Sequence, residues 1–231
     1  MSQSRGGPQK IPRPPGARAG DPAPWAATPA EGRTAIGLAR VRPVLQALGP
    51  PRRPETLIPD ASPAAVLVPL FEEDGETRVV LTRRTTTLPS HRGEVSFPGG
   101  KALVGEDLLA AALREAEEEI GLAPEQVEVV AELDHLATVA SRFVLAPFAG
   151  LLASRPALTP NPSEVDRAFD VSLAELLRDG VFREERWEIF DEERPVFFFE
   201  LEGNTVWGAT ARILYQLLAL LTVGDVPKEA L

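Results

Sequence analysis

The residues best equipped for chemistry lie between Gly100 and Leu122. Gly100, Glu106 and the run Arg114-Glu115-Ala116-Glu117-Glu118-Glu119-Ile120-Gly121-Leu122 stand at fixed gaps from one another. From Glu106 to Ile120 the segment has helical character, with good helix formers, no proline, and apolar residues at Leu109, Ala112, Leu113, Ala116 and Ile120. Gly121 then falls where a helix C-cap glycine belongs. On such a helix Glu115, Glu118 and Glu119 are related by steps of three and four, which puts their side chains on one face, roughly 5–6 Å apart at Cβ. Three carboxylates there repel one another and sit at the negative end of the helix dipole, each at a cost of a few tenths to about 1 kcal/mol. Arg114 offsets part of this. A bound divalent cation would offset the rest, and ligands that are all oxygen favour Mg²⁺ or Mn²⁺ over Zn²⁺. A solvated acidic helix face would also read as a run of glutamates, so these residues alone leave both readings open.

Positioning such a face requires a scaffold. Ala64–Phe71 and Thr77–Thr82 read as strands joined by a turn at Glu72–Glu76, with a long loop from Arg83 to Gly100. Beyond the acidic helix, Val127–Leu133 and Phe143–Leu152 read as strands, and Asn161-Pro162-Ser163 as a turn or helix entry. Leu173–Leu177 predicts a short helix, Arg186–Phe190 and Val196–Leu201 a hairpin around Asp191–Arg194, and Gly208–Leu221 an apolar helix that serves packing. Thr34–Leu48 predicts one or two helical turns interrupted at Pro43. This order of elements suggests a mixed sheet between helices rather than a repeated βαβ winding.

Composition limits what else the chain does. Its 231 residues suffice for one domain with a sizeable core, or one domain and a tail. Residues 1–32 are rich in Pro, Gly, Ala and Arg and predict a disordered tail, leaving 33–231 as a single domain. A net charge of −10 argues against a general nucleic-acid binder but not against a small phosphorylated substrate whose charge a metal neutralises. No segment is apolar for the roughly 18–20 residues that span a bilayer. The absence of cysteine excludes disulfides and thiol nucleophiles and is compatible with a cytoplasmic location.

The whole of residues 100–122 resembles, position for position, the signature of the Nudix hydrolases, G-x5-E-x7-R-E-U-x-E-E-x-G-U with U a bulky aliphatic residue, Ala116 being a small occupant of the first U. The resemblance implies an α/β fold, an α/β/α sandwich with a mixed sheet, and a metal site on Glu115, Glu118 and Glu119 with the Gly100 carbonyl. It also implies an enzyme that hydrolyses a pyrophosphate bond with Mg²⁺ or Mn²⁺. Leu81-Thr82-Arg83-Arg84, Gly93 and Phe97-Pro98-Gly99-Gly100 are similar to the block L-L-T-x-R-S/A-x3-R-x3-G-x3-F-P-G-G of coenzyme A pyrophosphatases. Val80, Thr85 and Pro89 depart from it, Pro89 at the second arginine. Leu133-Asp134, Phe143–Phe148, Asn161–Val165 and Trp207–Ala211 also resemble that subfamily, so the likeness covers about residues 63–221.

Each site residue then carries an expected role. Glu118 and Glu119 are expected in catalysis as metal ligands, and Arg114 as the residue that orients the glutamates. Arg84 is either a contact for substrate phosphate or a surface ion pair, and His91 either a phosphate contact or an exposed loop residue. Glu164 is either an extra ligand or base on a facing loop, or an acid at a helix N-terminus. Glu106 is expected to be structural. The substrate class is a small molecule, coenzyme A or a derivative, with ADP-ribose or NADH as alternatives and a non-catalytic ligand-binding domain as a third reading. Monomer and homodimer both remain open.

Overall fold

The computed structural model describes residues 5–54, 60–88, 91–138, 142–189 and 191–226. In chain order the elements are β1 (Arg18–Ala19), a 3-10 turn (Pro24–Ala27), α1 (Ala30–Arg33), α2 (Leu38–Gln46), β2 (Ser62–Glu73) and β3 (Glu76–Arg84). There follow β4 (Val95–Ser96), β5 (Gly99–Lys101), α3 (Leu108–Ile120), a 3-10 turn (Pro124–Gln126), β6 (Val127–Glu132), β7 (Leu136–Thr138) and β8 (Phe143–Leu152). The chain closes with β9 (Val165–Ser172), α4 (Leu173–Leu176), β10 (Phe182–Ile189), β11 (Glu192–Leu201), β12 (Asn204–Trp207) and α5 (Gly208–Thr222).

The larger sheet runs β4-β3-β2-β8-β6, with β5 beside β2, β7 beside β8 and β9 beside β3. It is mixed, because β2 and β8 are parallel while the other pairs are antiparallel. Both of its faces are covered, and the alternation of β2 shows how. Ala65, Leu67 and Phe71 point to α3, while Val66, Val68 and Leu70 point to the core shared with α5. Alanines at 111, 112 and 116 bring α3 close to Ala65 and Ala146. The small residue at the first aliphatic position of the signature is therefore what this narrow interface accommodates. The result is a mixed sheet layered between helices.

Several expectations need correction. The hairpin near Asp191 belongs to a second, antiparallel sheet, β1-β10-β11-β12, and Val165–Ser172 forms a strand against β3. Pro43 does not interrupt its segment: α2 continues through it, because burial of Val41 and Leu45 outweighs one lost backbone bond. The N-terminal residues expected to be disordered are packed on the domain from Arg5 onward. Trp25 is 2% exposed and lies among Phe182, Phe199 and Tyr215, at centroid distances of 5.2, 6.4 and 5.7 Å. Average composition hides a single large side chain, and one tryptophan buries about 150–250 Å². Phe197, Phe198 and Phe199 are buried, and Phe190 lies outside the described residues.

Candidate active site

The acidic face is built from α3 and its two ends. Asp107 caps the helix, accepting from the amides of Leu109 and Ala110 at 3.0 and 3.2 Å. Gly121 ends it at φ +69°. Beyond that cap the chain turns back, and Asn161 N–H donates to the Glu119 carbonyl at 2.8 Å, as Thr159 N–H does to that of Ile120. The Asn161–Glu164 loop is thereby fastened to the C-terminus of the acidic helix. Thr85 N–H donates to the Glu164 carbonyl at 2.9 Å, which ties the same loop to the end of β3. Because Val165 begins a strand, the reading of Glu164 as a helix N-terminal acid is overturned.

Glu119 is the most constrained of the carboxylates. It is 3% exposed; its Oε2 accepts from Gly99 N–H at 3.2 Å, and Arg84 Nη1 stands 3.8 Å from Oε1. Burial pushes its carboxyl up to about 7; the Gly99 amide and Arg84 pull it down, while Glu115 and Glu164 push it up. Glu115 is likewise raised, chiefly by burial and then by Glu118 and Glu164, against the pull of Arg114. Glu164 is thus close enough to act on both. Gly99 has φ +150°, and a Cβ there would fall 2.3 Å from the Ala65 carbonyl oxygen. A Cβ on Gly100 would fall 2.7 Å from the Glu115 carboxylate. Glycine at both positions lets the backbone come against the acidic face.

Arg114 grips Glu106 with Nε and Nη2 at 2.8 and 3.1 Å, and reaches Glu115 and Glu118 through Nη1 at 2.9 and 3.1 Å. Glu106 also accepts from Leu103 N–H at 2.7 Å. Among the described residues no three acidic or imidazole side chains converge as a ready-made ion site, and Glu118 in particular leans outward to Arg114. The donor set nevertheless fits a hard divalent cation. Two desolvated carboxylates with raised pKa values, a third whose charge acts on both and a glycine backbone against Glu115 make an oxygen-only donor set whose excess negative charge a cation would neutralise.

Of the expected site residues, Arg84, Gly100, Arg114, Glu115, Glu119 and Glu164 are brought together, with Glu118 at the rim. His91 is not among them: its Nδ1 pairs with Glu94 at 2.9 Å on an exposed loop. Pro89, at the position of the missing second arginine, lies outside the described residues. Sequence reasoning missed the Gly99 amide as a donor to Glu119, since a backbone group carries no residue-type signal.

The model of the NUDIX domain matches residues 61–192. This chain belongs to the Nudix family. It is 45% identical to Nudix hydrolase 22, chloroplastic, of Arabidopsis thaliana over 159 residues, covering 65% of this chain and 52% of that protein. It is 36% identical to the uncharacterized Nudix hydrolase NudL of Photorhabdus laumondii over 168 residues, covering 72% of this chain and 89% of NudL. Among solved structures, a MutT/nudix family protein from Enterococcus faecalis aligns with TM-score 0.49 and 17% identity over 82% of this chain and 72% of that one. The chain spans about half the length of the Arabidopsis relatives it matches. Nudix hydrolases work with divalent metal ions.

Proposed function

We propose that this chain hydrolyses the pyrophosphate bond of coenzyme A and its thioesters, giving 3′,5′-ADP and 4′-phosphopantetheine or its acyl form, with Mg²⁺ or Mn²⁺ as cofactor. The observation that carries this reading is the meeting of two motifs. Arg84, from the block resembling coenzyme A pyrophosphatases, stands 3.8 Å from Glu119 of the Nudix signature. Its Nε is buried without a hydrogen-bond partner, so the guanidinium retains donors for an anion beside the acidic face.

Glu115, Glu118, Glu119 and the Gly100 carbonyl would hold a divalent ion, which would supply Lewis-acid stabilisation of the developing charge and make a bound water more acidic. The chain's own residues do the positioning. Arg114 holds Glu115 and Glu118 in register, Gly99 N–H fixes the Glu119 carboxylate, and Arg84 orients the diphosphate. Glu164, whose main chain is held by Asn161 and Thr85, serves in this reading as a further ligand or as the group that takes a proton from water.

The test is incubation of purified protein with coenzyme A and Mg²⁺ or Mn²⁺, followed by separation of products. Release of 3′,5′-ADP is the expected result. Survival of coenzyme A while ADP-ribose or NADH is cleaved would transfer the assignment to another nucleoside diphosphate derivative. Binding without turnover of any of them would point to a non-catalytic domain.

A further inference from the structure

The segment ahead of Trp25 lies outside residues 61–192 matched by the family model, yet it is bound to strands of the second sheet and reaches the Gly93 turn that leads into the site. Gly6 N–H donates to the Leu201 carbonyl at 2.8 Å, Gly7 N–H to Thr205 Oγ1 at 3.0 Å, and Arg13 Nε pairs with Glu185 at 2.8 Å. Between these anchors Gln9 spans two elements. Its Oε1 accepts from Thr205 N–H at 2.9 Å, and its Nε2 donates to the Gly93 carbonyl at 3.1 Å. The fit is tight, for a Cβ on Gly7 would fall 2.2 Å from Gln9 Oε1 and 2.6 Å from the Asn204 Cα.

Gly93 is where the chain turns into the active site. The carbonyl of the next residue, Glu94, accepts from Arg84 N–H at 2.9 Å, Val95 and Ser96 then pair with Arg83 and Thr82, and Gly99 N–H holds Glu119. One short, continuous backbone therefore connects the Gln9 contact to the Arg84 main chain, from which its guanidinium projects, and to the Gly99 amide that holds the Glu119 carboxylate. A carboxamide suits this place because it offers a donor and an acceptor on one planar group.

We propose that Gln9 is a positioning residue, a two-ended clamp from β12 to Gly93 that fixes how Arg84 meets the substrate diphosphate. The proposal rests on the reading of Arg84 as a phosphate contact. It makes the N-terminal segment part of the binding machinery rather than a cover.

The experiment uses the full chain, its Gln9→Ala and Gln9→Glu variants, and ADP as a diphosphate probe read by calorimetry in the presence of Mg²⁺. A glutamate accepts from Thr205 but, ionised, cannot donate to Gly93, so it keeps the segment attached while opening the clamp. Both variants are expected to bind ADP about 2- to 10-fold more weakly, as the loss of one hydrogen bond implies. KM for whichever substrate is turned over should rise by the same factor. Amides of residues 91–97 should exchange faster in the substrate-free variants, and Gln9→Glu should melt with the parent. Parent-like ADP affinity and KM in Gln9→Glu overturn the proposal, as does lowered thermal stability in both variants with no change in affinity. Hydrolysis of coenzyme A that is indifferent to Gln9 defeats the clamp alone. ADP binding that depends on Gln9, in a protein that leaves coenzyme A intact, supports the clamp and defeats the substrate assignment.

Discussion

At the scale of single residues the site is governed by a contest over Glu119. Burial favours its neutral form, and Gly99 N–H and Arg84 only partly restore the charge. Because the folded-state pKa of about 7 lies above the unfolded value, the protonated group stabilises the metal-free fold. That contribution is fully present below about pH 4.3 and is lost as pH rises through about 7. In EDTA the melting temperature should therefore fall between about pH 5 and about pH 8, and Glu119→Gln should flatten the slope. A slope identical in the two proteins, followed by circular dichroism, would remove Glu119 as its source. The same variant should lose turnover by orders of magnitude while at about pH 8, where the parent Glu119 is ionised, the metal-free variant melts no lower than the parent, since a buried charge has gone. Arg114 contacts three glutamates at once, and Arg114→Ala is expected to weaken Mn²⁺ affinity about 10–100-fold in a metal titration.

At the scale of elements, the acidic helix holds its carboxylates in place because both of its ends are specified. Asp107 satisfies two amides at the N-terminus, and Asp107→Ala should cost about 0.5–2 kcal/mol in denaturant unfolding. The strand side of the site depends on backbone proximity. Gly100→Ala would drive a methyl group into the Glu115 carboxylate, so Mn²⁺ affinity should drop while the melting temperature changes little. Retained affinity would show that the Gly100 backbone does not need to approach Glu115. The acidic helix and strands β2, β3 and β8 were legible because their periodicity and caps are local properties. β9 was not, because Asn161–Asp170 carries strong turn residues and charges, and its strand character comes from pairing with β3.

At the scale of the whole molecule, the second sheet and the N-terminal segment form one packed unit around Trp25, Phe182, Phe197, Phe199 and Tyr215. Trp25→Ala should destabilise the protein by about 3–5 kcal/mol in urea or guanidinium unfolding. An effect within about 0.5 kcal/mol would mean that the segment carries no core weight. Among the described residues no helix is long and apolar enough to cross a membrane.

By itself the amino-acid order determined the family, the acidic helix and the residue types available to a divalent ion, because a spaced pattern of glycine, arginine and glutamate is written in local chemistry. Only the folded chain decided that Glu119 is buried while Glu118 is exposed, that the charge of Glu164 acts on both Glu115 and Glu119, that His91 turns to Glu94, and that Gln9 touches Gly93. Those outcomes depend on burial and on contacts between residues far apart in the chain, and neither quantity is a property of any single stretch of sequence.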